Sequence, residues 1–347
     1  SERAKSGRTA RLPANRLPST MMVSTCVKYG VSCIASLGIA WGLWYALVLR
    51  RVRYRHTDWG PRSLAVWASR AFSSFAQRQV SGGTSDNIDE MIHKEIFTAD
   101  KQYIIVWHPH GQYTIAVLCF MPFLFLTKVP MKVIVVVADL LLKVPGLAEY
   151  LLLLGTRSGN FKTFDQLLSK GFTVAVQPGG ILEQVSTDYA QEKVYFHRRL
   201  GFIRLAIKHG IPLVPMYAYG ENQLYDTAPW QRRFNMWMYN KFKVGNLICM
   251  GRFGLPSTPV LPTPGILPVP GRPLHMRFGN PVDAGPAEAE PSEERVQELL
   301  RKYVAELQRM FEQYKDDCLL PEVAARGLRA IWAGNVDPNG PRETILQ

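Results

Sequence analysis

The chain has 347 residues, enough for one large catalytic domain with accessory segments or for two modest domains. Its composition, 47% hydrophobic with 27 Gly and 24 Pro, is that of a folded, loop-punctuated protein and excludes a largely disordered one. Five scattered cysteines with no CxxC pair argue against a disulfide framework or a cysteine zinc site, and a net charge of +13 suits nucleic acid, anionic membranes and phosphorylated ligands alike.

Residues 1–28 read as a basic tail without fixed structure, with the remnant of an organellar transit peptide as the alternative; Ser1–Thr20 holds five Lys/Arg and the single acid Glu2. Residues 29–49 carry no charge. As a helix these 21 residues reach about 30 Å, the thickness of a bilayer's hydrocarbon core, so a transmembrane helix is expected here. Trp41, Trp44 and Tyr45 suit one interfacial region. Arg50, Arg51, Arg53 and Arg55 follow at once, which fits an anionic lipid surface and places the bulk of the protein on the cytosolic side.

Residues 50–99 read as a basic juxtamembrane and connecting region, with Ser81–Ser85 as a flexible break. An α/β domain is expected over 100–325. Its first strand, Tyr103–Trp107, runs into His108-Pro109-His110-Gly111, where proline and glycine force a turn and two imidazoles stand at a strand exit. The apolar stretch Ile115–Leu126 follows, too short to span a bilayer.

Strands are predicted at Lys132–Val137, Phe172–Val176, Leu213–Tyr219 and Leu274–Phe278, and helices at Phe161–Lys170, Arg198–His209 and Ser292–Asp317. The last helix keeps apolar residues at helical spacing behind Ser292 as N-cap. Pro256–Pro273 reads as an irregular loop and residues 326–347 as a C-terminal tail. Strand–helix alternation gives an α/β fold, a single mixed sheet flanked by helices and preceded by the membrane helix. His108 and His110, Asp139, the Gln177-Pro178-Gly179-Gly180 turn, and Glu221 with Asn222 all follow strand C-termini, where open α/β sheets bind ligands.

The ordered blocks His108–Gly111, Pro178-Gly179-Gly180-Ile181-Leu182-Glu183, Arg199–Ala206 and Pro212–Asn222 resemble the signature segments of the type-2 diacylglycerol acyltransferase family. Thr156–Phe161 and Phe278–Val282 resemble two further segments, so the likeness covers roughly 100–320 and the hydrophobic N-terminus. It implies a glycerolipid-acyltransferase-like fold and acyl transfer from acyl-CoA, as co-substrate, to a neutral lipid hydroxyl, most often that of diacylglycerol. No cofactor and no metal are implied.

By the same likeness His110 is the expected general base and His108 orients the site or polarises the thioester. Related glycerolipid acyltransferases carry an aspartate five positions after their histidine; here that position is Ile115, so Glu183 is the expected partner of the His110 ring. Gly179 and Gly180 are candidates for oxyanion stabilisation, against the plainer reading of a tight turn. Arg157, Arg198 and Arg199 are candidates for the CoA phosphates, against a solvated basic face. Glu221 and Asn222 either meet the acceptor or brace the histidines.

The implied setting is the endoplasmic reticulum membrane with a cytosol-facing domain, extending to lipid droplets, with a plastid membrane as the alternative. Membrane lipids are expected partners, nucleic acid is not, and a homo-oligomer stays open. Other acceptors (monoacylglycerol, a fatty alcohol, a sterol) and a non-enzymatic lipid-droplet or membrane scaffold are the competing readings. A serine hydrolase is disfavoured because Gly155–Gly159 places Ser158 one position late for a nucleophile elbow. A histidine metal site is disfavoured because further ligands at recognisable spacing are missing.

Overall fold

β-Branched and aromatic runs supply the strands of this chain, and the sheet they form places its polar turns along one edge. The computed structural model describes residues 19–55, 59–80, 101–119, 132–245, 247–258, 263–333 and 343–346. The chain divides into two units, Ser1–Arg51 and Val52–Gln347. The first is dominated by α1 (Ser19–Trp44), which continues as a π-helix over Tyr45–Leu49. Lys28–Val52 is helical over 25 residues, with a mean hydropathy of 1.7 across its most apolar 18-residue stretch, long and apolar enough to cross a membrane.

The second unit begins with α2 (Arg62–Gln77), a helix in the stretch expected to be a plain connection. Ser81–Ser85 and residues 120–126 of the expected apolar stretch lie outside the described residues, while 115–119 are helical. The strands that follow are β1 (Ile104–His108), β2 (Val133–Val137), β3 (Arg157–Ser158), β4 (Thr173–Val176), β5 (Glu192–His197), β6 (Leu213–Tyr219), β7 (Cys249–Met250), β8 (Pro256–Ser257), β9 (His275–Phe278), β10 (Leu328–Ala333) and β11 (Glu343–Leu346). The helices between and after them are α3 (Leu147–Leu153), α4 (Phe161–Ser169), α5 (Gly180–Val185), α6 (Gly201–His209), α7 (Pro229–Phe242), α8 (Glu293–Cys318) and α9 (Pro321–Ala324).

The expected α/β class holds. Six strands form the main sheet in the order β3-β2-β4-β1-β6-β9, parallel throughout except for the antiparallel β6–β9 pair. Two small sheets accompany it: β11-β10-β5, and the β7–β8 hairpin inside the stretch read as an irregular loop. Residues 326–347 are therefore more than a tail, because β10 pairs in parallel with β5 from Leu328↔Glu192 to Ala333↔His197. Stacking of Phe196 on Trp332, 4.9 Å between ring centroids, reinforces that pairing.

Ser292 caps α8 by accepting the Arg295 N–H at 3.3 Å, and Glu293 and Glu294 lie in its positive first turn. The helix lays Val296, Leu299, Tyr303, Leu307 and Phe311 against β6, β9 and α6. Each such buried side chain contributes about 1.5–3 kcal/mol. β1 sits between β4 and β6, where the strand order reverses, and the crevice beyond its C-terminal end is the natural ligand position.

Candidate active site

His108 is the last residue of β1 and is fully buried, its ring lying 5.7 Å from Phe196 and 6.3 Å from Tyr303 between centroids. Neither of its ring nitrogens has a hydrogen-bond partner among the described residues, and Nδ1 stands 3.7 Å from Glu183 Oε2. The next peptide bond, His108–Pro109, is cis. After it comes His110, half-buried.

Glu183, on α5, is the fulcrum of the turn. Its Oε1 accepts the His110 backbone N–H at 2.7 Å and its Oε2 accepts the Tyr195 N–H at 3.2 Å. The expected bond between Glu183 and the His110 ring is thus replaced by one to the His110 backbone. The ring nitrogen Nδ1 instead lies 3.2 Å from the Gly111 carbonyl, which can only accept, so Nδ1 carries the proton and Nε2 keeps a free lone pair. Desolvation lowers the His110 pKa below its ordinary value, with the nearby Glu183 charge opposing. The imidazole is therefore neutral at physiological pH.

Two glycines make room for two carboxylates. A Cβ on Gly179 would fall 1.6 Å from Glu183 Oε2, and one on Gly111 (φ +64°) would fall 2.6 Å from Glu221 Cγ. The structure therefore gives Gly179 a packing reason that the sequence did not disclose. Its carbonyl also accepts from His197 Nε2 at 3.0 Å, a third histidine at this turn.

Glu221 leaves β6 through a left-handed Gly220 and folds back beneath the histidine turn. Its two oxygens accept the N–H groups of Ile115 and Ala116 at 2.7 and 2.8 Å. It braces the segment after the histidines, and Ile115, where an aspartate was sought, supplies a backbone donor. Burial raises the Glu221 carboxyl to about 8 despite those two bonds.

Asn222 reaches a residue that sequence reasoning missed. Glu192 is fully buried and accepts from the Tyr217 hydroxyl at 2.6 Å, Asn222 Nδ2 at 2.9 Å and Gln223 Nε2 at 2.9 Å. Burial raises it to about 7, those three bonds oppose the rise, and Glu183 adds to it. In the sequence it stands in Gln191-Glu192-Lys193, indistinguishable from a solvated loop.

The three candidate arginines separate. Arg157 is buried, its guanidinium donating to the backbone carbonyls of Arg55, Leu152 and Thr156, so it is a structural strut and is not presented to a ligand. The expected helix over Arg198–His209 starts at Gly201, which leaves Arg198 and Arg199 exposed in the turn before α6. Both line a cavity of about 750 Å³ with Phe161, Val176, Pro178 and His197, next to the Gly179 turn. Asp139 lies apart, accepting from the Tyr54 hydroxyl at 3.4 Å. Among the described residues no group of three His, Cys, Asp or Glu could hold a metal ion.

Comparison with known proteins places the chain in a family. A family model described as "Diacylglycerol acyltransferase" matches residues 88–325. The mouse (Mus musculus) acyl-CoA wax alcohol acyltransferase 2 is 30% identical over 240 residues, 65% of this chain and 69% of that protein. The human (Homo sapiens) diacylglycerol O-acyltransferase 2 is 30% identical over 249 residues, 64% of this chain and 59% of that protein. Among solved structures, the 1-acyl-sn-glycerophosphate (LPA) acyltransferase PlsC from Thermotoga maritima aligns with a TM-score of 0.41 and 18% identity, over 74% of this chain and 79% of that one. The chain belongs to the diacylglycerol acyltransferase family.

Proposed function

We propose that this protein is a membrane-bound enzyme that moves a fatty acyl group from acyl-CoA to the free hydroxyl of diacylglycerol, giving triacylglycerol, with His110 as general base. The observation that carries the reading is the state of that imidazole: desolvated, neutral, with Nδ1–H held by the Gly111 carbonyl. Its Nε2 takes the acceptor's proton as the hydroxyl oxygen bonds to the thioester carbon. The tetrahedral intermediate then collapses, the C–S bond breaks, and the imidazolium returns the proton to the CoA thiolate.

Around that step the supporting roles follow from position. His108 and Glu183 hold the turn, and N–H groups of the Gly179-Gly180 turn are the candidates for meeting the oxyanion. Arg198 and Arg199 at the cavity rim suit the CoA phosphates. The apolar helix through Lys28–Val52 supports anchoring in a membrane, and the setting proposed for it is the endoplasmic reticulum, with the domain on the cytosolic side and access to lipid droplets.

The acceptor has a second reading, because similar proteins include one named for wax alcohols and a human 2-acylglycerol O-acyltransferase 3, 29% identical over 242 residues. The test supplies labelled acyl-CoA and a panel of acceptors (diacylglycerol, monoacylglycerol, a long-chain alcohol, a sterol) to membranes holding the wild type or His110→Ala. Triacylglycerol as the main product, reduced about 10²–10⁴-fold in the variant, is expected. A preference for another alcohol would move the acceptor. Full activity in a folded His110→Ala protein would remove the proposed base, and no transfer by the wild type to any acceptor would favour the scaffold reading.

A further inference from the structure

Helix α7 is built inside out. Its buried residues are Gln231 and Asn235, one turn apart. Gln231 Nε2 donates to Gln112 Oε1 at 3.1 Å and to the Ile248 carbonyl at 2.9 Å, and Asn235 Nδ2 donates to the same carbonyl at 2.9 Å. Three large apolar residues lie on a different side, Trp230, Phe234 and Trp237, 47%, 37% and 52% exposed, and Phe242, the last residue of the helix, is 54% exposed. At 3.6 residues per turn, Trp230, Phe234, Trp237 and Lys241 fall in one narrow stripe. An ordinary surface helix has the opposite polarity, so a contiguous exposed aromatic stripe marks an interaction surface.

The charges around the stripe identify the partner. Residues 229–243 contain no Asp or Glu. Arg233, Lys241 and Lys243 are exposed, whereas Arg232 is taken up by Asp188. Lys241 Nζ stands 5.5 Å from the ring centres of both Trp237 and Phe242, and Trp237 lies 6.0 Å from Phe234 between centroids. Tryptophan and phenylalanine flanked by cations alone match the boundary between acyl chains and anionic headgroups. The hairpin that α7 holds through Ile248 also carries Phe253, 78% exposed.

We propose that α7 lies in the plane of a membrane, with Trp230, Phe234 and Trp237 in the headgroup–acyl boundary and Arg233, Lys241 and Lys243 on anionic lipid headgroups. The inner face of the same helix leads directly to the catalytic turn. Gln112, which accepts from Gln231, follows Gly111 in the chain and through its carbonyl accepts Gln184 Nε2 at 2.8 Å, next to Glu183. Docking by α7 thereby sets the site against the lipid surface. This contact is separate from the apolar N-terminal helix and stands whatever the acceptor proves to be.

The test uses the full chain reconstituted in phosphatidylcholine vesicles, with and without phosphatidylserine. Tryptophan emission is compared between the wild type and the Trp230→Gln, Trp237→Gln double variant, with brominated-acyl phosphatidylcholine or aqueous acrylamide as quencher. The emission removed by the substitutions is expected to be quenched by the brominated lipid and shielded from acrylamide. Adding Phe234→Trp to the wild type should create emission with the same behaviour, which guards against a double variant that misfolds. Each cation should contribute about fivefold to partitioning on an anionic surface, so Arg233→Gln with Lys241→Gln should lessen the effect of phosphatidylserine. Emission open to acrylamide and unaffected by brominated lipid would overturn the proposal by placing the face in water. Emission shielded from both quenchers would overturn it too, by placing the face against protein.

Discussion

Glu183 grips the histidine turn by its backbone: Oε1 takes the His110 N–H at 2.7 Å, while Oε2 stands 3.7 Å from His108 Nδ1. One carboxylate therefore holds the backbone of His110 and stands beside His108 without a hydrogen bond to either ring. Glu183→Ala should strip partners from two buried N–H groups, at about 1–3 kcal/mol each, and abolish acyl transfer. Glu183→Gln keeps one acceptor oxygen and should retain more stability than activity. Equal melting temperatures for Ala and wild type in detergent would refute this role.

A Cβ at Gly179 would land on the Glu183 carboxylate, whereas one at Gly180 would meet its nearest neighbour at 3.8 Å, with a φ of +54° as its main penalty. Gly179→Ala is thus expected to be the worse of the two and to resemble Glu183→Ala in rate. The left-handed backbone alone should cost Gly180→Ala about 1–2 kcal/mol. Side-by-side acyl-transfer rates and melting curves distinguish displacement of the carboxylate from simple backbone strain. A Gly179→Ala protein with wild-type rates would exclude the displacement.

The arginines offer a direct contrast. Arg157→Ala leaves buried backbone carbonyls without their donors and should cost about 3 kcal/mol of stability. Arg198→Ala with Arg199→Ala removes exposed charges, so stability should hold while KM for acyl-CoA rises about tenfold, most visibly at low salt. A raised KM in a stable Arg157→Ala protein would return that residue to the binding site.

How far the sequence foretold this arrangement depended on whether a residue's partners were local. β6 was predicted at its observed limits, Leu213–Tyr219, because an apolar run ends at glycine, and α8 because nine apolar positions keep helical spacing behind a serine cap. Glu192 stayed hidden because its three donors come from 25 to 31 residues away, and nothing in its own neighbourhood marks it as buried. Helix α7 was missed for a different reason: its inward residues are polar and its apolar ones face out, so the pattern that reveals a helix was inverted. β5 and β10 each find their partner across more than a hundred residues, a pairing that periodicity does not encode.

Buried Glu192 and Glu221, raised to about 7 and about 8, make stability fall as pH rises. Each keeps its proton in the folded state over a range where the unfolded chain has released it. Their contribution is full below the ordinary carboxylate value and is lost as pH climbs through the folded value. The melting temperature in detergent should therefore decline from about pH 5 to 8. Glu192→Gln should remove up to one proton, about 1.4 kcal/mol per pH unit, from that slope. An unchanged slope in Glu192→Gln would mean the carboxyl is ionised throughout.

With His110 as the proposed base, the pH dependence of the rate has the opposite sign. Only its neutral form can take a proton from the acceptor, and desolvation lowers its pKa below 6.5. The rate should accordingly rise through an acid limb centred below that value and be level across neutral pH before other groups intervene. Its stability contribution has the same direction: the unfolded chain binds a proton that the folded site resists, so acid weakens the fold as pH drops through 6.5 towards the lowered value. Acyl transfer by His110→Ala should lose about 10²–10⁴-fold and the acid limb together, because both arise from one imidazole. His108→Gln should weaken the rate through the position of the turn and leave the midpoint of the limb where it was. If instead the limb persists in His110→Ala and vanishes in His108→Gln, the base is the buried histidine, and Glu183, 3.7 Å from its Nδ1, becomes that base's direct partner.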